Sequence, residues 1–336
     1  VVNKSEVSVV IAVHNGAWML EQCLEALSRS SVKPLELLVV DDGSADDSKA
    51  VAARYGARVM VLDERQGPAR ARNIGARHAH GNLLLFLDAD VRIHEDALGR
   101  IVEHFNQDPS LDAVIGAYDD QPAAEPFVSR HRNLLHCFTH RAGHPDASTF
   151  WCGCGAVRRE IFLRHGGFDE RYGRPAIEDI EFGARLKSAG GRIRLDAAIQ
   201  VQHLKCWTFA NMLKTDIFDR GVPWTRLILR SGSMPDDLNV RWSQRLSVAL
   251  AFLLVVAICW GHVLTTASCA LALGCLNFRF YAFLMARGGP WFALRAVPLH
   301  FLFHFYSGVA FLLGAALHVT SLTKSTASEV AREEIP

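Results

Sequence analysis

Leu83-Leu84-Leu85-Phe86-Leu87-Asp88-Ala89-Asp90 is an apolar run that ends abruptly in two carboxylates one residue apart. A run this short and uniformly apolar fits a strand buried on both faces, because a half-exposed strand would alternate with polar residues. On an extended backbone positions i and i+2 face the same way, so Asp88 and Asp90 present their carboxylates together. Hard oxygen ligands in that arrangement suit Mg2+ or Mn2+ bridged to a phosphate. The other reading of an isolated Asp-x-Asp is a solvated pair capping the next helix. The choice rests on what else the chain brings to this strand end.

Upstream, Val7 to Val13 is apolar and β-branched and ends at His14-Asn15-Gly16, after which Leu20, Cys23, Leu24 and Leu27 recur at helical spacing. Leu35 to Val40 predicts a second buried strand, ending in Asp41-Asp42-Gly43-Ser44, with Ser44 or Asp46 available to cap the helix that follows. Arg58 to Leu62 predicts a third, leading through Gln66-Gly67-Pro68 into a helix that carries Arg70, Arg72 and Asn73. Alternating strands and helices give a Rossmann-like α/β domain whose mostly parallel sheet is covered on both faces. Ligands on such sheets bind at the carboxyl ends of the strands, where Asp41, Asp42, Asp88 and Asp90 all fall. Four carboxylates converging on one crevice repel one another, which calls for a divalent cation and a bound base or ribose.

These motifs together, Val9-Val10-Ile11-Ala12-Val13-His14-Asn15, Val40-Asp41-Asp42-Gly43-Ser44, Ala71-Arg72-Asn73-Ile74-Gly75 and Phe86-Leu87-Asp88-Ala89-Asp90, resemble the inverting family 2 glycosyltransferases in order and spacing over roughly residues 5 to 205. The resemblance implies a GT-A fold, with a nucleotide-binding half followed by an acceptor half, a nucleotide-diphosphate sugar as donor and a divalent cation. It places Val13, Asn15, Asp41, Asp42, Arg72, Asn73, Asp88 and Lys205 on the donor, and Asp88, Asp90 and His203 on the metal. For His203 the ordinary alternative is a structural histidine, and for Lys205 a solvated surface lysine. Gly166-Gly167-Phe168-Asp169-Glu170 followed by Ile177-Glu178-Asp179-Ile180-Glu181 looks like the family's acceptor side. That likeness makes Asp179 the general base and Glu178 its orienting or acceptor-binding neighbour, where the helix-start alternative is two acids favoured by the helix dipole. Asp219 to Trp224 is similar in part to the Gln-x-x-Arg-Trp element of processive members but lacks the Gln and the spacing, which puts processive synthesis in doubt.

The 336-residue chain is 50% hydrophobic and 21% charged, which describes a foldable polypeptide. Its net charge of +1 hides a segregation: from Trp242 to Thr320 the charged residues are Arg245, Arg279, Arg287 and Arg295 alone. Leu246–Trp260, Val263 to about Leu284, and Val297–Val319 are apolar enough for about three spans, given that a crossing helix needs ~20 residues. Leu246 to Leu284 also reads as a single re-entrant hairpin turning at Gly261-His262. Arg226, Arg230, Arg241 and Arg245 before the first stretch, with Arg287 and Arg295 before the last, predict a cytosolic catalytic domain and an outer tail from Ser321 to Pro336. The protein is therefore expected to be multi-pass in the inner (cytoplasmic) membrane. Trp207 to Ile228 reads as an interfacial helix broken at Pro223, with its tryptophans in the headgroups, or as an ordinary packing helix. His300 and His304, at i and i+4, suit helix–helix hydrogen bonding or headgroup contact better than metal.

The organisation expected is thus a GT-A domain over 1–205, an interfacial amphipathic segment over 206–243, a transmembrane region over 244–320 and a polar tail over 321–336. Eight cysteines at irregular spacing imply no disulfide framework and fit a reducing compartment, and Cys152-x-Cys154 lacks the second pair of a thiolate metal site. The first strand follows Val1-Val2-Asn3 with no cleavable signal and no Met, so a short preceding piece is expected. The resulting expectation is a metal-dependent transferase moving a sugar to a lipid-linked or glycan acceptor, with membrane lipids as partners. Basic residues form no stripe or stacking platform, so nucleic acid is not expected. An idle scaffold or carbohydrate-binding protein with the same fold is the competing reading, disfavoured by three carboxylates whose repulsion serves nothing without metal. A dinucleotide oxidoreductase lacks its Gly-x-Gly-x-x-Gly turn.

Overall fold

The computed structural model describes residues 6–333, with side chains to 321. The described residues form two compact units that meet between Thr208 and Phe209. The first unit runs β1 (Val7–Val13), α1 (Ala17–Ser28), β2 (Glu36–Asp41), α2 (Ser48–Arg54), β3 (Arg58–Val61), α3 (Pro68–His78), β4 (Leu83–Leu87), β5 (Val91–Ile93), α4 (Ala97–Gln107), β6 (Ala113–Tyr118), α5 (Phe127–Arg141), β7 (Cys154–Arg158), α6 (Arg159–Arg164), α7 (Glu178–Ser188) and β8 (Ile193–His203). Its 8-stranded sheet has the order β3-β2-β1-β4-β7-β6-β8-β5.

β4 lies near the middle of this sheet, parallel to β1 and antiparallel to β7, and every one of its residues is 0% exposed. Its apolar run is therefore explained by neighbours on both edges and both faces. The parallel half, β3-β2-β1-β4, matches the expectation from alternating strands and helices. The other half is mixed: β7 is antiparallel to both β4 and β6, β8 is parallel to β6, and β5 is antiparallel to β8. Beneath β4, Phe86 packs against Phe162 and Phe168 at 5.0 Å between ring centroids, and Phe162 meets Phe182 at 5.1 Å. Such pairs add about 0.5–1.5 kcal/mol each beyond burial. Phe86 comes from the strand that ends at Asp88, and Phe182 from the helix that carries Asp179, so one core cluster ties the two acidic elements together. Gly183 makes this possible, since a Cβ there would lie 2.1 Å from the Phe150 backbone nitrogen.

The second unit contains α8 (Phe209–Lys214), a π-helical turn (Thr215–Gly221), α9 (Val222–Ser231), α10 (Trp242–Cys259), α11 (Val263–Leu276) and α12 (Phe278–Glu333), the last interrupted at Gly289 with φ 80° and ψ 171°. Two of these helices, Trp242–Cys259 and Phe278–Ser321 within α12, are long and apolar enough to cross a membrane by length and composition. Leu264 is 85% exposed, Val263 77% and Leu271 70%. Close packing within the unit uses small residues: a Cβ on Gly221 would lie 2.6 Å from the Ala310 Cβ, and one on Gly314 2.7 Å from the Thr225 Cβ.

Three expectations for this region are corrected. The apolar stretch from Val263 to Leu284 is not one helix but stops at Leu276, because Asn277 turns out of it and binds the Ser247 Oγ and Leu273 carbonyl through its Nδ2. At 1.5 Å per residue α11 is about 21 Å long, short of the ~30 Å hydrocarbon core. The helix from Phe209 to Ser231 is not broken at Pro223. Proline sits in the first turn of α9, and the wider π-helical turn before it accommodates the missing N–H. Trp207 is no headgroup anchor: it is 2% exposed inside the first unit. The tail expected over 321–336 begins where the described side chains end, and 334–336 lie outside the described residues.

Candidate active site

The acidic crevice is built from strand ends. Asp88 follows β4 directly, and the antiparallel register that pairs Val91 with His203 sets the end of β8 beside Asp90. The Leu204 N–H donates to the Asp90 carbonyl at 2.9 Å, and the Asp90 Oδ2 stands 3.6 Å from the His203 Nε2. Burial works to raise the Asp90 carboxyl, but His203, with Lys205 beyond it, more than offsets this and holds it below its ordinary range. Asp88 goes the other way: burial, with Asp90 adding, pushes it up, although Arg72 opposes.

Arg72 is the positive centre. Its Nη2 donates to the Asp88 Oδ1 and its Nη1 to the Glu178 Oε1, both at 2.7 Å, from a side chain that is 9% exposed. Burial alone would lower its pKa, but Cys152 and the carboxylates around it hold it well above the ordinary value. Glu178, expected to orient the base or bind the acceptor, is buried, with Oε1 on Arg72 and Oε2 accepting from the Ala176 N–H at 3.0 Å. Asp179, next along α7, is partly exposed and aimed by two backbone donors, the Cys152 N–H at 3.1 Å and the Ile180 N–H at 2.8 Å. Burial first and the Glu178 charge second push its carboxyl up to about 6, against those donors and Arg72. A carboxylate poised near neutrality at the edge of a crevice is suited to taking a proton.

The remaining predicted residues separate into two groups. Asp41 is buried and accepts the Ser44 N–H at 2.8 Å, so it fastens its own turn at the end of β2. Val13 is buried at the end of β1, opposite Asp41 in the register. Asn15 is exposed, in a left-handed conformation with φ 50°, and its Oδ1 accepts the Ala45 N–H at 2.8 Å. Lys205 is partly exposed, with its ammonium 4.1 Å from the Trp207 ring centroid. Two further residues expected on the donor make several hydrogen bonds within the protein. Asp42 accepts the Gln66 and Gly67 N–H groups at 2.7 and 2.8 Å, one on each oxygen, and so latches the loop before α3. Asn73 spends its amide on the loop before α7: its Oδ1 accepts the Phe168 N–H at 2.9 Å, and its Nδ2 donates to the Phe168 carbonyl at 2.8 Å and to Glu170 at 3.0 Å. Asn133 of α5, which no motif marks, touches His203 at 2.7 Å.

Among the described residues no three His, Cys, Asp or Glu side chains stand around one point ready to hold a metal ion. Asp90 and His203 nevertheless fit one as a pair, since an oxygen and a nitrogen ligand face each other across 3.6 Å. Six-coordinate Mg2+ or Mn2+ usually keeps open positions for phosphate oxygens and water. Asp88 has its second oxygen left for such an ion. Among the thiols beside the site, burial pushes Cys154 up to about 12 and Cys152 well above its ordinary value.

A mixed sheet with a nucleotide-type parallel half and acidic strand ends defines the first unit as a GT-A domain. Residues 8–166 match the family Glycosyl transferase family 2. Among similar proteins, glycosyltransferase AglE of Haloferax volcanii is 37% identical over 101 residues, which are 28% of this chain and 33% of that one. The pre-mycofactocin glycosyltransferase of Mycobacterium tuberculosis is 28% identical over 207 residues, or 59% of this chain and 42% of that one. The matches thus span about a third to two fifths of these relatives. A similar fold occurs in the mannosyltransferase PcManGT from Pyrobaculum calidifontis, solved with GDP-Man and Mn2+, at a TM-score of 0.53 and 18% identity over 96% of this chain and 88% of that one.

Proposed function

We propose that the protein is a metal-assisted inverting glycosyltransferase, anchored in the inner membrane, that moves a sugar from a nucleotide diphosphate to a lipid-linked or glycan acceptor at the cytosolic face. The observation that carries this reading is Asp179, a partly exposed carboxylate raised to about 6, beside the Arg72-bridged pair Asp88 and Glu178. In the proposed step the acceptor oxygen bonds to the anomeric carbon as the bond from that carbon to the diphosphate oxygen breaks. Asp179 takes the acceptor's proton, and the diphosphate leaves with the electron pair. Arg72 keeps its charge fixed between Asp88 and Glu178 and so holds both carboxylates in place beside Asp179. A divalent cation held by Asp90 and His203, with Asp88 beside it, would neutralise charge on the departing diphosphate. That PcManGT was solved with GDP-Man and Mn2+ supports this donor class and ion.

The membrane part of the reading is supported by the apolar helices and by the arginines that flank them. A lipid-linked acceptor would suit a catalytic domain joined covalently to such helices. The test is a screen of the purified chain against nucleotide diphosphates with and without Mn2+. A matching nucleotide should raise the melting temperature only when Mn2+ or Mg2+ is present, and Asp90→Asn should abolish that coupling. An equal shift in chelator would remove the metal from the reading, and no transfer from any nucleotide sugar would favour the idle scaffold.

A further inference from the structure

His203 faces Asp90 with one ring nitrogen and Asn133 with the other, and the hydrogen bonds of Asn133 decide which nitrogen carries the proton. The Asn133 Nδ2 donates to the Lys205 carbonyl at 3.3 Å, a group that can only accept. Its Oδ1 accepts from the Trp207 indole N–H at 3.2 Å, a group that can only donate. Both partners fix the amide the same way round, so the atom 2.7 Å from the His203 Nδ1 is an oxygen. The Nδ1 must then be the donor. In the neutral ring the lone pair is left on Nε2, pointing at a carboxylate oxygen 3.6 Å away. Two electron-rich atoms facing each other in a site where His203 is 5% exposed call for a positive charge between them, which either a second ring proton or a bound cation supplies.

We propose that Asn133 is a positioning residue that holds His203 in the Nδ1–H tautomer and so aims its Nε2 lone pair at the cation position beside Asp90. The device rests on the metal-assisted reading above but adds residues that the acidic motifs do not mark. Asn133 lies on α5, and Trp207 is held from the same helix by Ser129, whose Oγ accepts the Trp207 N–H at 3.0 Å. A metal-bound histidine is commonly oriented through its second nitrogen in this manner, and loss of such a partner weakens metal binding by about 10–100-fold.

The experiment measures Mn2+ affinity of the full chain in detergent by electron paramagnetic resonance, with UDP and again with GDP, for the parent, Asn133→Leu and Asn133→Asp. Leucine removes the acceptor, and should weaken Mn2+ by about 10–100-fold. Aspartate keeps an acceptor for both the imidazole and the indole, and should stay near the parent. Parent-like affinity in Asn133→Leu, or equal losses in both variants, would overturn the proposal. Long-range nitrogen NMR of histidine-labelled, metal-free parent gives a second readout that needs no variant to fold. A proton on Nδ1 of His203 upholds the assignment and a proton on Nε2 alone overturns it. Failure of the parent to bind Mn2+ with either nucleotide would overturn the cation reading itself, while the NMR result still judges Asn133.

Discussion

Asp179 links chemistry to stability with opposite signs. Its carboxyl lies at about 6 in the folded protein against an ordinary 3.8, so the folded state holds the proton more tightly than the unfolded chain. The contribution to stability is fully present below the unfolded value and is lost as pH rises through about 6. At pH 8 the ionised group then weakens the fold by roughly 3 kcal/mol at most, at 1.36 kcal/mol per pH unit. Asp179→Asn should melt above the parent at pH 8 and lose that advantage below pH 4, while transfer falls by about 10²–10⁴-fold. Parent transfer should rise with pH through about 6. Near-normal turnover in the variant would end the assignment of Asp179 as base. At this scale the sequence marks Asp88, Asp90 and Asp179 because strand ends and helix starts have recognisable borders. It does not separate Arg72 from Asn73: adjacent residues on a helix point about 100° apart, and only the packed fold sends one to the carboxylates and the other to a loop. Asn133 carries no pattern at all, being a single amide within a helix.

Among the elements, the loop from Gly166 to Ile177 deserves a test because it delivers α7 to the crevice. Asn73 holds it by three hydrogen bonds, two of them to the Phe168 backbone. Asn73→Ala would leave a buried N–H and a buried carbonyl without partners, each costing about 1–3 kcal/mol. The variant should melt several degrees lower and be cut by trypsin at Arg171 or Arg174 faster than the parent, both residues being exposed. Unchanged cleavage would mean that the loop is held by other contacts. Strands of the parallel half were legible from their apolar runs, since each is followed by a helical pattern. The antiparallel β7 leaves a weaker trace, because hairpin-like and crossover strands share the same alternation. Pro223 misleads for a related reason: a proline reads as a break unless a first helical turn or a π-turn receives it.

For the molecule as a whole, the proposed membrane anchoring turns on how many apolar helices would cross a bilayer. α10 is 18 residues long, whereas α11 has 14 and the tight turn between them fits either a shallow hairpin or two short crossings. Either case leaves an odd total when the last apolar stretch crosses. A reporter fused after Pro336 should therefore lie outside and one inserted at Gly289 inside. Finding both on one side would refute this topology. Hydropathy made the apolar region legible, but the stop at Asn277 was not, since one buried amide bound to Ser247 hardly changes an average over twenty residues.

The position of β8 also sets an order of events during synthesis. β8 is the last strand of the first unit to be made, yet it occupies a place between β6 and β5 rather than at an edge. A nascent chain that has emerged only as far as Gly191 therefore carries two strands awaiting the same partner, with open hydrogen-bonding edges of the kind that recruit other chains. His203 and its neighbour Asp90 come together only when that gap is filled. The segment that closes the sheet is followed, after Phe209, by the apolar helices, so sheet closure comes just ahead of the part of the chain that is long and apolar enough to cross a membrane. A pause in translation between α7 and α10 would lengthen the interval available for closure, and a chain released early would expose the open edges to aggregation.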